Sequence, residues 1–256
     1  MSNFKTRQPD LKLIYKSANG INLPMWVYFP DENIKNASAV FLIHGGGWRD
    51  AICDNSEWDG GWMRANACRL AETGYISVII SYRSLNLSDK LNVSELFADC
   101  CDAVRYIREH LKFINFDTFV CIGESAGGYF STMLGLSADD NLRPKKTVSI
   151  NPVLGDLDTK WKYAFNGIDD IEKFSAFNKI GDKASDFLFM HGTNDSVVDI
   201  KYTEKLDDLL TKRGFKSQFA EIIGAEHAFS LYDYKSDDDF VNEIMDYIIK
   251  FIDKTL

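Results

Sequence analysis

The sequence predicts an α/β fold around a mostly parallel sheet of eight strands with helices on both faces. Short runs of β-branched and aromatic residues alternate with longer segments of helical period, which is typical of this fold class. The runs that predict strands are LKLIYKS, LPMWVYF, AVFLIH, ISVIISY, TFVCIG, KTVSIN, DFLFMHG and SQFAEII. The first two lie close together and are expected to pair as an antiparallel edge, whereas the later ones are almost entirely apolar, as in strands covered on both faces.

Two long segments carry the apolar stripe of an amphipathic helix. From Phe97 to Leu111, apolar residues recur at steps of three and four. The same spacing continues from Asp238 to Phe251, and the preceding Ser236 and a run of aspartates favour a helix N-terminus there. We expect this last helix to pack on the sheet and close the fold.

The chain shows no sign of a division into domains. Its 256 residues contain no internal repeat, no low-complexity tract and no linker rich in proline or serine, so one domain over residues 1–256 is predicted. Residues 155–183, after the sixth strand, lack a clear strand pattern and are rich in aromatic residues. We predict that this insertion forms a small lid at the end of the sheet.

Charge and composition narrow the class of partner. A formal net charge of −9 argues against a nucleic-acid or anionic-membrane surface, which needs clustered Lys and Arg, so a small molecule is the expected partner. No apolar run approaches the roughly 18 residues of a membrane span, and the N-terminus lacks the apolar core of a signal peptide, so a cytoplasmic location is expected. Five cysteines, two of them adjacent, favour reduced and buried thiols over a disulfide framework.

The segment VCIGESAGGYF carries a nucleophile motif. Gly123, Ser125 and Gly127 form G-x-S-x-G between an apolar strand and an apolar helical run, which is the context that this motif requires. A serine on a sharp strand-to-helix turn adopts a strained backbone, and the residues two before and two after it must be small for the turn to close. The unpaired N–H groups of the helix N-terminus, including that of Ala126, favour negative charge developing at the serine. We therefore predict that Ser125 is a nucleophile.

A serine nucleophile needs a base, and the chain has four histidines. His110 ends an amphipathic helix, His44 precedes the glycines of HGGGW, and His191 ends the strand DFLFMHG. In folds of this type the triad follows the order serine, acid, histidine, and His227 is the histidine that follows both Ser125 and a loop acid. His227 is the predicted base.

Two aspartates in HGTNDSVVD compete for the role of the acid. Asp195 lies on the turn close to the strand end, whereas Asp199 is better placed to cap the following helix. We predict Asp195 as the acid that orients the histidine.

Taken together, HGGGW, GESAGG, HGTND and a late EH, with ETGYISVIISYRSL between the first two, resemble the α/β-hydrolase esterases of the hormone-sensitive-lipase-like group and related bacterial carboxylesterases. The resemblance runs from about residue 12 to the C-terminus. It implies an α/β-hydrolase fold, a Ser125–His227–Asp195 triad, and backbone oxyanion donors at Gly46, Gly47 and Ala126. It also implies that His44 braces the glycine loop.

The sequence departs from the larger members of that group. Those enzymes carry an N-terminal helical cap, whereas this sequence starts almost directly with predicted strands, and Glu124 stands where they tend to have Asp. The short chain resembles compact esterases, including acetyl and feruloyl esterases, and also kynurenine formamidases.

The expected chemistry is ester hydrolysis through an acyl-enzyme, with no metal and no organic cofactor. Candidate substrate-binding residues are Trp48, Glu124 and Trp161, with Trp58 and Trp62 as further aromatic candidates for the pocket wall. Each tryptophan is equally well explained as an anchor that pins a long loop to the surface.

Three other functions fit the same motifs. A small-amide hydrolase or a peptidase of the prolyl-oligopeptidase type would use the same triad, since GESAGGY also resembles the elbow of those peptidases. A non-catalytic binding protein on a hydrolase fold remains a remote third alternative, because such proteins generally lack one of the triad residues.

Overall fold

The computed structural model describes residues 6–18, 20–31, 37–50, 63–232 and 234–253. Its strands are β1 Leu11–Ala18, β2 Ile21–Tyr28, β3 Ser38–Ile43, β4 Ile76–Ile80, β5 Asn115–Glu124, β6 Lys146–Ile150, β7 Asp186–Gly192 and β8 Ser217–Ile222. Its α-helices are α1 Arg64–Glu72, α2 Val93–His110, α3 Ala126–Gly135, α4 Ala176–Lys179, α5 Ile200–Lys212 and α6 Asp238–Asp253.

All eight strands belong to one sheet in the order β1-β2-β4-β3-β5-β6-β7-β8. The pairs β1/β2 and β2/β4 are antiparallel, and every pair from β4/β3 to β7/β8 is parallel. The predicted mostly parallel eight-stranded sheet is therefore confirmed, including its antiparallel edge of the first two strands.

Helices cover the sheet on both faces because the central strands are apolar on both sides. Along β3, Phe41 and Ile43 pack into one hydrophobic cluster with α2 and α3, while Val40 and Leu42 pack into the other with α1 and α6. The side chains of a strand alternate between faces, so one continuous apolar run can supply two cores.

The helix boundaries follow from local capping chemistry. Asn92 begins α2 with a capping box, in which its side chain accepts from the backbone and Glu95 returns the contact to the Asn92 N–H. Asp199 begins α5 by accepting from Lys201 N at 3.0 Å, as predicted for this residue. At α6, Asp237 accepts from Phe240 N at 2.9 Å.

Residues 155–183 connect β6 to the segment before β7 and contain two short 3₁₀ helices, Lys162–Phe165 and Ile171–Phe174, followed by α4. Apart from these short helices, residues 155–183 have no regular secondary structure. Its action as a lid stays a prediction.

Within the described ranges, no helix is both long and apolar enough to cross a membrane. The four cysteines in these ranges are free and buried: Cys68, Cys100, Cys101 and Cys121. Cys53 lies outside the described residues.

The turn from β5 into α3 is packed so closely that two of its positions exclude any side chain. A Cβ on Gly123 would collide with the Gly127 carbonyl, and a Cβ on Gly127 would collide with the Ile43 carbonyl of β3. These contacts are with backbone atoms, which cannot rotate away. The glycine spacing of G-x-S-x-G is therefore a requirement of the packing of α3 against β3 and β5.

The substitution Gly127→Ala tests this constraint. We expect it to lower the free energy of unfolding by about 1 to 3 kcal/mol, the usual cost of overpacking, because the added methyl meets the Ile43 carbonyl. Gly181→Ala is the matched control, since nothing lies within 4 Å of a Cβ at Gly181. Urea unfolding of both variants measures the difference, and equal stability of the two would contradict the packing argument.

Candidate active site

Four loops meet at the carboxyl ends of the parallel strands, because β3, β5, β7 and β8 all end on the same side of the sheet. The HGGGW loop follows β3, Ser125 follows β5, and the loops after β7 and β8 carry Asp195 and His227. Ligands of open α/β sheets bind at this edge. The topology thus places residues that lie up to 183 positions apart in one region.

Ser125 occupies the strained backbone position at the turn between β5 and α3. Its φ is 56° and its ψ is −116°, values that a non-glycine residue rarely adopts. The Ser125 N–H donates to the Ile150 carbonyl at 2.9 Å, and the Ser125 carbonyl accepts from Tyr129 N and Val153 N. These bonds hold the turn and leave the Ser125 hydroxyl directed toward His227.

Ser125, His227 and Asp195 form a continuous hydrogen-bonded array. The Ser125 hydroxyl donates to His227 Nε2 at 2.9 Å, and His227 Nδ1 donates to Asp195 Oδ2 at 2.7 Å. The structure therefore brings together the three residues predicted from the sequence. The neutral imidazole in this tautomer is oriented to accept the hydroxyl proton.

The Asp195 carboxylate is held in its charged form by hydrogen bonds to both oxygens. Oδ1 accepts from Val197 N at 2.8 Å and from Val198 N at 2.9 Å, while Oδ2 accepts from His227. Burial raises the pKa of Asp195, but the hydrogen bonds from His191, His227 and the Val198 N–H outweigh it, so the pKa lies below its usual range. Asp195 is therefore ionised at neutral pH.

A second histidine, His191, contacts the same carboxylate oxygen. His191 Nε2 lies 3.2 Å from Asp195 Oδ2, and Nδ1 lies 2.8 Å from Thr203 Oγ1 in α5. His191 is fully buried at the end of β7. In the sequence, His191 stands only four residues before Asp195, and this short spacing is the signal that could have indicated the contact.

The glycine loop after β3 passes directly over the nucleophile. Gly46 and Gly47 have φ values of 99° and 58°, and a Cβ on Gly46 would collide with the Asp50 carboxylate. A Cβ on Gly45 would lie 3.1 Å from Ser125 Cβ. Gly46 and Gly47 thus line the same cavity as Ser125. Ala126 is the first residue of α3, where an N–H has no partner within the helix.

His44 and Tyr82 hold the glycine loop in place. Its ring stacks on Tyr82 with 4.2 Å between centroids, and the Tyr82 hydroxyl lies 2.9 Å from the His44 carbonyl and 3.1 Å from the Gly45 carbonyl. His44 Nδ1 donates to the Gly45 carbonyl at 2.7 Å. Burial lowers the pKa of His44 to about 4, so the ring is neutral at physiological pH. This arrangement agrees with the bracing role that the resemblance implied.

A cavity of about 250 Å³ opens at the Ser125 hydroxyl. Its wall is largely apolar, formed by Met63, Trp161, Val197, Ala228, Leu231 and Tyr234. Asp50 and Glu124 also line it, and no Lys or Arg is among the described lining residues. The described lining therefore combines a mostly apolar wall with two acidic residues.

Trp48 and Trp161, both candidates for substrate binding, lie at different distances from the cavity. Trp161 lines the cavity, but the indole of Trp48 has no exposed surface and does not reach it. Trp48 is enclosed by aromatic edges, with Trp161 at 5.8 Å and Tyr129 at 5.6 Å between ring centroids. The expectation that Trp48 stands at the pocket wall is corrected accordingly: it supports Trp161 from behind. Trp58 and Trp62 lie outside the described residues.

Glu124 lines the cavity next to Ser125, and its side chain is almost fully buried. Oε2 accepts from the Ser230 hydroxyl at 2.6 Å, and Oε1 is buried with no hydrogen-bond partner in the described part of the chain. Burial raises the pKa of Glu124 to about 7, against the opposing effects of the Ser230 hydrogen bond and of His227. A direct substrate contact by this carboxyl group stays a prediction.

Nothing in the described ranges resembles a metal centre: no group of three or more His, Cys, Asp and Glu side chains there could hold an ion.

The BD-FAE family model matches residues 25–166, more than half of the 256-residue chain. The chain belongs to the BD-FAE family. The matched range contains the glycine loop and Ser125, whereas Asp195 and His227 lie beyond it.

Solved structures of Thermogutta terrifontis esterase 2 share the fold of this BD-FAE protein. The sarin-phosphonylated form has a TM-score of 0.82 at 18% identity, covering 96% of this chain and 95% of that one. The propionate-bound form has a TM-score of 0.77 at 19% identity, covering 94% and 93%. The predicted α/β-hydrolase fold and the resemblance to compact esterases are thereby confirmed.

A curated relative is "Probable dipeptidyl-peptidase 5" of Emericella nidulans, which is 25% identical over 244 residues. The match covers 85% of this chain but only 32% of that protein, so the BD-FAE protein spans about a third of the length of this relative.

The raised pKa of Glu124 has a consequence for stability that does not depend on function. A carboxyl group that binds its proton more tightly in the folded state stabilises the fold at low pH, and this contribution is lost as the pH rises from the unfolded value, about 4.3, through the folded value near 7. We expect Glu124→Gln to gain stability relative to wild type over this interval, on the order of 1 to 3 kcal/mol.

Urea unfolding of wild type and Glu124→Gln at pH 4.5, 5.5 and 7.5 measures this change. The comparison isolates one carboxyl group, since every other titrating residue is common to both proteins. A difference in unfolding free energy that stays constant across the three pH values would contradict the expectation.

Proposed function

We propose that this protein is a serine ester hydrolase that cleaves small, short-acyl carboxylic esters through an acyl-enzyme on Ser125. The observation that carries the proposal is the array Ser125–His227–Asp195 at the opening of a largely apolar cavity. A hydrogen-bonded serine hydroxyl, a neutral imidazole and an ionised carboxylate are the parts required for nucleophilic acyl transfer.

In the proposed first step, the Ser125 hydroxyl oxygen attacks the ester carbonyl carbon while His227 Nε2 accepts the hydroxyl proton. Asp195 stabilises the resulting imidazolium through its 2.7 Å hydrogen bond to Nδ1. The carbonyl oxygen becomes an oxyanion, for which Gly46, Gly47 and Ala126 are the proposed N–H donors. The tetrahedral intermediate then expels the alcohol, which takes the proton from His227.

In the second step, water replaces the alcohol. His227 accepts a proton from the water as its oxygen attacks the acyl carbon, and the collapse of the second tetrahedral intermediate returns that proton to Ser125. The carboxylic acid product leaves as an anion at neutral pH. Asp50 lines the cavity and no Lys or Arg is among its described lining residues, which favours release of this product.

The cavity supports a small acyl group. Its volume of about 250 Å³ lies at the low end for small-molecule sites, and Trp161 and Leu231 close part of it. Thermogutta terrifontis esterase 2, which shares the fold, has been solved with propionate and with butyrate bound. For this chain, a short acyl group is proposed on the strength of its own cavity.

Hydrolysis of small amides or peptides is the second candidate. The curated relative is named as a dipeptidyl-peptidase, and the same triad would cleave an amide bond. Comparing p-nitrophenyl acetate with a dipeptide p-nitroanilide and with N-formylkynurenine distinguishes the candidates. A kcat/KM for either amide that exceeds that of the ester would replace the ester assignment.

The substitution Ser125→Ala is expected to lower kcat for p-nitrophenyl acetate by a factor on the order of 10⁶, because it removes the atom that forms the acyl-enzyme. A fluorophosphonate probe should label wild type and leave this variant unlabelled. Intact-mass spectrometry after labelling checks the second result. Labelling of both proteins, or of neither, would refute Ser125 as the nucleophile.

The substitution Trp161→Ala tests the size of the acyl site. We expect the ratio of kcat/KM for octanoate over acetate p-nitrophenyl esters to rise about tenfold, because the indole that closes the cavity is removed.

Phe174→Ala is the matched control for Trp161→Ala, since Phe174 lies in the same segment, packs on Phe165 and does not line the cavity. It should leave the chain-length ratio near that of wild type. The proposed lid role of residues 155–183 depends on this contrast, and a similar shift in both variants would indicate a general loosening of the segment.

A further inference from the structure

We propose that Glu124 is a positioning residue, which fixes the loop of His227 through Ser230 and supplies a second negative charge to the His227 imidazolium during catalysis. The inference deepens the proposed ester hydrolysis and rests on it. It assigns a role to a buried acidic group that the Ser125–His227–Asp195 array does not use.

Glu124 and Ser230 join the two chain segments that carry the reacting groups. Glu124 immediately precedes Ser125 at the end of β5, and Ser230 follows His227 by three residues. The Ser230 hydroxyl donates to Glu124 Oε2 at 2.6 Å, and both residues are at least 98% buried. This bond therefore couples the position of the nucleophile to that of the base.

The His227 loop needs such an anchor because its own backbone is strained. Ala228 has a φ of 64°, in the left-handed region that residues with a side chain rarely adopt. Asn66 of α1 donates to the Ser230 carbonyl at 2.9 Å, so the loop is held at Ser230 through both its backbone and its side chain. Strained backbone persists only where surrounding contacts over-determine it.

The charge of Glu124 acts on the reacting imidazole. The ionisable groups whose charges reach this carboxyl group in the described structure are His227, which favours its ionisation, and Asp195, which opposes it. Oε1 has no hydrogen-bond partner there, and the hydrogen bond to Oε2 comes from the uncharged hydroxyl of Ser230. Opposite charges attract more strongly in a low-dielectric site than in water, so the ionised Glu124 stabilises an imidazolium that forms in the transition state.

The stabilisation of the His227 imidazolium by Glu124 is expected to increase with pH. Because burial raises the pKa of Glu124 to about 7, the group is neutral well below that pH and charged well above it. Stabilisation of the imidazolium is therefore absent at pH 5.5 and present at pH 8.5. This dependence separates an electrostatic role from a purely structural one, whose effect would be equal at all pH values.

The test compares wild type with Glu124→Gln, which keeps an acceptor for Ser230 and removes the charge. We expect the ratio of wild-type to variant kcat/KM for p-nitrophenyl acetate to rise from near one at pH 5.5 to about tenfold at pH 8.5. A ratio that is constant over this range overturns the electrostatic role.

Ser230→Ala is the matched variant, because it keeps the Glu124 carboxyl group and removes the hydrogen bond from Ser230. Loss of its hydrogen bond destabilises the carboxylate, so the rise of kcat/KM with pH should move to higher pH, and kcat should fall several-fold throughout. A pH profile of kcat/KM in Ser230→Ala that matches wild type would refute the positioning role of this hydrogen bond. Circular dichroism and urea unfolding confirm that both variants fold.

A measurement without substrate separates failure of this inference from failure of the proposed function. In ¹³C NMR of glutamate-labelled protein, one side-chain carboxyl should titrate near pH 7 and be absent from Glu124→Gln. If that signal is present but wild type neither hydrolyses esters nor reacts with the fluorophosphonate, the proposed function fails. If wild type hydrolyses esters and the signal is missing, the role of Glu124 fails.

Discussion

The close approach of the β5–α3 turn to β3 is the constraint on which the rest of the site depends. Gly123 and Gly127 leave no room for a side chain against the Gly127 and Ile43 carbonyls. Because the turn is pressed onto β3, the backbone of Ser125 is forced to a φ of 56°, and the glycine loop that continues β3 comes to lie over its hydroxyl. One steric condition thus fixes both the nucleophile and the loop opposite it.

Charge in the site is distributed between two carboxyl groups in contrasting environments. Asp195 accepts hydrogen bonds at both oxygens and its pKa lies below the usual range, so it remains an anion. Glu124 has one hydrogen bond and is otherwise buried, and its pKa rises to about 7. The number of donors around each group decides this difference. Both carboxyl groups bind the segment that carries the base: Asp195 accepts from the His227 ring, and Glu124 accepts from Ser230, three residues further along the chain.

Much of the architecture was predictable because it depends on local patterns. Apolar runs of strand length gave the eight strands, and the cap at Asp199 followed from its place before a helical segment. The serine at 125 was identified from glycine spacing, which reflects a backbone collision within a few residues. Trp48 was misplaced because burial of an aromatic ring is decided by its neighbours in space, here Trp161 and Tyr129, which are remote in sequence.

The sequence by itself determined the fold class, the strand order along the chain and the residue types available for a serine, an acid and a base. Tertiary structure alone decided the contacts between distant segments: the hydrogen bond from Ser230 to Glu124 and the cavity wall at Trp161. The physical reason is that periodicity and turn chemistry act over a few residues, whereas hydrogen bonds and burial depend on which strand ends meet at the sheet edge. No local pattern encodes that Ser230, 106 positions from Glu124, lies 2.6 Å from its carboxylate.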